Sequence, residues 1–130
     1  MNTTHRNISL ILLAAIAWIH FKGIPDKLGE TAYLGWLYIL LAMGCSAAGA
    51  WLLSDRWRWG AVLGSVISAG AILFYVLTRS TGLPNAKDDI GNWAEPAGVV
   101  SLILEAALIV LAVMALRRPA ASLEPAPSRR

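Results

Sequence analysis

The stretch AGVVSLILEAALIVLAVMAL, residues Ala97–Leu116, holds one charged side chain, Glu105, in an otherwise apolar run. As an α-helix rising 1.5 Å per residue, twenty residues extend about 30 Å, the thickness of a bilayer's hydrocarbon core. Three other runs have the same character, Ile8–Ile24, Ala32–Leu53 and Gly60–Leu77. The chain of 130 residues is 57% hydrophobic and 15% charged, with a mean hydropathy of +0.59. A soluble domain of this size has too little interior to bury so much apolar surface. In lipid only helices or closed barrels satisfy the backbone, so the sequence predicts an all-α integral membrane protein, a four-helix bundle running up and down across residues 1–116. The final segment, 117–130, is rich in Pro, Ala and Arg and reads as a disordered cytoplasmic tail.

The charges orient the spans. With both termini in the cytoplasm, the inner side carries Arg6, Arg56, Arg58, Arg117, Arg118, Arg129 and Arg130, and the outer side Lys22, Lys27, Arg79 and Lys87. That asymmetry matches the positive-inside rule and predicts a multi-pass protein of the inner (plasma) membrane. Trp51, Trp57 and Trp59 fall at the expected inner edge, Trp18, Trp36 and Trp93 at the outer edge. The net charge of +3 then means contact with membrane lipid and not with nucleic acid. Ala15-Ile16-Ala17 has the look of a signal-peptide cleavage site, but apolar residues continue past it, so a retained first helix is expected.

Small residues mark where helices approach closely. The second span contains AMGCSAAGA; the third has Gly60 and Gly64 in a G-x-x-x-G with Ser68 on the same row; in the fourth, Gly98, Ser101, Glu105 and Ala112 share a face. These stripes fit packing within one bundle, or the seam of a homodimer or larger membrane complex. The lone Cys45 fits as a small packing residue.

Glu105 lies on that small, polar face, roughly 12 Å into the membrane. An unpaired carboxylate there costs at least a few kcal/mol, so it is expected to be neutral or partnered, with Ser65, Ser68, Tyr75, Tyr38 and Arg79 as candidate partners. Two readings stand beside each other: a hydrogen bond that locks two helices, or a group that binds a proton, a cation or a polar ligand. The loop TRSTGLPNAKDDIGNWAEPAG, 78–98, is the other informative region. Gly82-Leu83-Pro84-Asn85 is turn chemistry, Pro96 suits a first helical position and Glu95 a helix N-terminus. Asp88, Asp89 and Glu95 close to Arg79, Lys87 and His20 form either a solvated loop or a polar lid over the outer mouth. His20 reads as an interfacial polar residue, a metal ligand or a proton carrier. No zinc spacing, catalytic triad or glycine-rich nucleotide loop is present, so no cofactor or metal is expected and an enzyme has the least support.

The segments TRSTGLP (78–84), DIGNWAEP (89–96) and SLILEA (101–106) resemble a signature of small four-span integral membrane proteins of actinobacteria, most of them uncharacterised. The pattern runs T-R-x-x-G-L-P, a short acidic spacer, then N-W-x-E-P-x-G-x-x-S-L-x-x-E, and covers Thr78 to Glu105, about a fifth of the chain. The resemblance brings no reaction with it; it implies that Arg79, Glu95 and Glu105 belong to one unit. The size is also similar to the small multidrug transporters, dimers with a membrane-buried Glu in the first helix, but the first span here has none. The expected site therefore comprises Glu105, Arg79, Glu95, Asp89, Trp93 and His20. The expected function is a binding or accessory membrane protein with a buried polar network opening outward, or a proton- or cation-coupled transporter that uses Glu105 as a dimer.

Overall fold

The protein is described by a computed structural model covering residues 1–118; the proposed tail beyond Arg118 lies outside the described residues. Four helices follow one another: α1 (Thr3–Glu30), α2 (Ala32–Leu52), α3 (Trp57–Arg79) and α4 (Pro96–Leu116). Each packs on its neighbour in sequence and α4 closes back on α1, an up-and-down bundle. All four are long and apolar enough to cross a membrane. Their outward faces carry large apolar side chains, among them Ile11, Leu40, Met43, Val66, Ile103 and Val110, as expected of a surface turned to lipid.

Buried positions recur with alternating steps of three and four: Ser9, Leu13, Ile16, His20 on α1; Cys45, Ala48, Leu52 on α2; Ala61, Gly64, Ser68 on α3; Ser101, Glu105, Leu108, Ala112, Ala115 on α4. This is the spacing of side-chain knobs in left-handed bundles. The predicted small-residue row of α3 is inside, as is the polar row of α4. Gly60 shows why small residues are needed: a Cβ there would stand 2.6 Å from the Ala48 carbonyl oxygen and 2.7 Å from the Leu52 nitrogen.

Two differences from the sequence reading have physical causes. The helix α1 does not stop near Ile24 but runs through Pro25 to Glu30. A proline removes one backbone bond, yet the last turn is held from outside by Leu28 packed on Gly35 and from within by Lys27 Nζ donating to Glu30 Oε2 at 2.6 Å. The extension also changes the depth of Trp18. Tyr38 sits on Gly23 and Leu10 on Gly49, so by interpolation Trp18 comes level with Ala42, midway along the bundle. It is not at an edge; its exposed ring stacks on Phe21 at 6.2 Å beside small residues of α1 and α2.

Candidate functional site

Helix α4 starts as its sequence requires. Pro96 occupies the first helical position and Glu95 is the N-cap, its carboxylate accepting from Ala97 N at 3.2 Å and Gly98 N at 2.7 Å. From this fixed start the small, polar face turns inward and buries Glu105 to 2% exposure. Its partner is on its own helix, one turn back: Ser101 Oγ donates to Glu105 Oε1 at 2.7 Å. The other polar neighbour comes from α1. His20 Nε2 lies 4.0 Å from Glu105 Oε1, beyond hydrogen-bond length but well within reach of a charge. His20 Nδ1 is held at 2.9 Å by the Ile16 carbonyl, and the imidazole meets the Tyr38 ring edge-on at 4.9 Å.

His20 is thus not an interfacial residue. It is buried because it continues the inward row of Ser9, Leu13 and Ile16, a periodicity present in the sequence. Nor does Arg79 pair with Glu105. Its guanidinium is held at the end of the bundle near the 80–95 loop: Nη1 lies 3.4 Å from Asp89 Oδ2 and Nη2 3.6 Å from Glu95 Oε2. Nη1 also donates to Thr78 Oγ1 at 2.9 Å, Nε to the Asn92 carbonyl at 3.3 Å, and the guanidinium stacks over Tyr75 at 4.3 Å. Asp89 reaches further, to Lys27 Nζ on α1 at 3.5 Å. The candidate residues therefore form two groups. Glu105 and His20, with Ser101, lie mid-bundle; Arg79, Asp89 and Glu95, with Lys27, close the end. Trp93 belongs with the second group: its ring is edge-on to Tyr75 at 6.1 Å and its carbonyl accepts from Tyr75 Oη at 2.8 Å.

The 80–95 loop is an ordered strap. Leu83 and Ala86 exchange backbone bonds of 3.0 and 2.9 Å around Pro84-Asn85, with Asn85 at φ 56°, a left-handed conformation that asparagine tolerates. Two side chains of the α1–α2 corner fasten it: Thr31 Oγ1 donates to the Asn85 carbonyl at 2.9 Å and Tyr33 Oη to that of Pro84 at 2.6 Å. Beneath the strap Lys27, Glu30, Thr31, Thr78 and Asp89 line a cavity of ≈20 Å³, room for about one water. The sequence reading did not place Lys27 and Thr31 in this group, since only the fold brings the α1–α2 corner under the loop.

Arg79 joins α3, the strap and the start of α4, so Arg79→Ala is expected to release the strap. Breaking a buried ion pair costs 3–5 kcal/mol, but the partners here are about one-third exposed, which lowers the expectation to about 1–2 kcal/mol. Tryptic cleavage after the exposed Lys87 should quicken several-fold, with Arg79→Lys intermediate because an ammonium lacks the planar fork. An unchanged cleavage rate would show that Thr31, Tyr33 and the Lys27–Asp89 pair hold the strap without Arg79.

No family model matches the sequence, no curated protein does, and no solved structure matches the fold.

Proposed function

We propose that the chain is a plasma-membrane protein with both termini in the cytoplasm, and that it works as a binding or accessory membrane protein whose interior site opens to the outer face beneath the strap. The observation that supports this is the uneven polarity of the interior. From Glu105 toward the strap the bundle carries Ser101, His20, Tyr38, Thr78 and then the charged cluster. In the other direction Leu13, Ala48, Leu52, Leu108 and Ala112 form an apolar cluster, with Ser9 the buried polar side chain beyond it. A polar group of a ligand is accommodated from one side only. Coupled transport by Glu105 needs a second opening through the apolar cluster.

Thiol labelling tests both parts. In a Cys45→Ala background, Lys87→Cys is expected to react with a membrane-impermeant maleimide in intact cells and Ser54→Cys only after permeabilisation. Ser101→Cys, probed with a small charged thiosulfonate, is expected to react from the Lys87 side alone. Reaction of Ser101→Cys from both sides would favour the carrier; reaction from neither would remove the ligand-entry reading.

A further inference from the structure

The mid-bundle group has a charge problem that its geometry resolves. Among the described residues no Lys or Arg stands within ion-pair distance of Glu105; Lys27 and Arg79 are engaged by Asp89, Glu30 and Glu95. Its neighbours bring hydrogen bonds but no fixed positive charge. Ser101 faces it from α4; on α2, Cys45 is buried in the core and Tyr38 backs the imidazole. From α3 comes Ser68: the contacts of Gly64 with Leu108 and of Gly98 with Tyr75 bracket the register and bring Ser68 level with Glu105, its buried hydroxyl without a hydrogen-bond partner. The one neighbour able to carry a positive charge is His20. Its Nδ1 faces the Ile16 carbonyl, which only accepts, so Nδ1 keeps its hydrogen in every state. Nε2 is then the nitrogen that gains and loses a proton, and it is the atom that faces Glu105.

We propose that His20 and Glu105 form a single proton-binding site, holding one exchangeable proton between Nε2 and the carboxyl group, and that this proton is the ligand of the interior site. With one proton the pair is neutral overall, as carboxylic acid beside imidazole or as carboxylate beside imidazolium. Removing it leaves one negative charge in the middle of the bundle; adding a second leaves one positive charge. Both are disfavoured away from water, so one proton is held around neutral pH and is released in a single step toward alkaline pH. The route follows the polar half, where Tyr38 meets the imidazole edge-on and Gly23 leaves room for its ring, since a Cβ there would lie 2.9 Å from Tyr38 Cε2. This deepens the proposed function and rests on its outward opening for delivery of the proton, while the paired holding of the proton stands on the two residues themselves.

The test uses the full chain in lipid nanodiscs, with His5→Gln so that His20 is the one imidazole. Infrared difference against Glu105→Gln isolates the protonated-carboxyl stretch of Glu105, and ¹⁵N spectra of labelled histidine follow Nδ1 and Nε2. Both are recorded from about pH 5 to about pH 9, the range in which buried acids and histidines titrate. The expected result is one shared midpoint for the two signals, with Nδ1 protonated throughout. In His20→Asn, whose side-chain amide keeps the donor to Ile16 but lacks Nε2, the carboxyl midpoint should move by about a unit or more, the mark of coupled groups. A carboxyl band constant over the range, unrelated midpoints, or an unmoved midpoint in His20→Asn would overturn the proposal. If His20→Asn does not fold, agreement or disagreement of the two midpoints in the otherwise wild-type chain decides. Ser101→Cys labelling reports entry of a reagent, independently of these midpoints, so failure of the opening and failure of the proton site are separable.

Discussion

Replacing Gly60 with valine is expected to destabilise the bundle by about 3 kcal/mol, at the upper end of what overpacking normally costs. The reason is that the atoms a side chain would meet are backbone, the Ala48 carbonyl oxygen at 2.6 Å and the Leu52 nitrogen at 2.7 Å. Flexible side chains swing aside; a helix moves as a body, so α2 and α3 must separate along their whole contact. Gly70 provides the control on the same helix. Nothing lies within 4 Å of a Cβ there, so Gly70→Ala should be neutral or stabilising by up to about 1 kcal/mol, from helix propensity. Reversible unfolding in mixed micelles, followed by helical circular dichroism, measures both. Equal stability of Gly60→Val and wild type would show that the two helices are further apart at this point than described.

The second large effect concerns the buried acid. Glu105→Lys puts a cation beside His20 at a buried position, and an uncompensated buried charge costs about 3–5 kcal/mol. The variant is expected to be expressed poorly and to lose its sharp thermal transition. Glu105→Gln keeps size and hydrogen-bonding capacity toward Ser101, so a change within about 1 kcal/mol is expected from the modest net worth of one bond. Thermal melts monitored by tryptophan fluorescence compare the two. If Glu105→Lys melts like wild type, the ammonium reaches water or a partner without strain, and the burial of this position inside the bundle is wrong.

The bundle itself was legible because lipid imposes so strong a constraint. The second helix was expected to start at Ala32 and end within one residue of where it does, and the third and fourth were expected within a few residues, since apolar length alone sets them. The first was misjudged at Pro25, where a local helix breaker is overridden by Leu28 packed on Gly35, a contact that a one-dimensional reading does not contain. The inward face of Glu105 was legible from its small neighbours. Its partners were not: Ser101 was in plain view four residues earlier, but helices were expected to bond one another and not themselves. His20 was assigned to an edge because the end of α1 was placed too early. Arg79 and Glu95 do belong together, while Glu105 lies deeper, with another partner; sequence spacing shows that residues share a face but not how far apart along the bundle they end up.

The strap has a consequence for how the protein is made. Its fastenings join the α1–α2 corner to the segment between α3 and α4, through Thr31, Tyr33 and the Lys27–Asp89 pair. During synthesis α1 and α2 leave the ribosome first as a hairpin, and their half of these fastenings waits until residues 84–89 follow. Glu95, which holds Arg79 from the far side, emerges later still, at the entrance to α4. The strap is therefore among the last parts of the structure to form, and a chain interrupted before α4 would present Arg79 without its full set of partners.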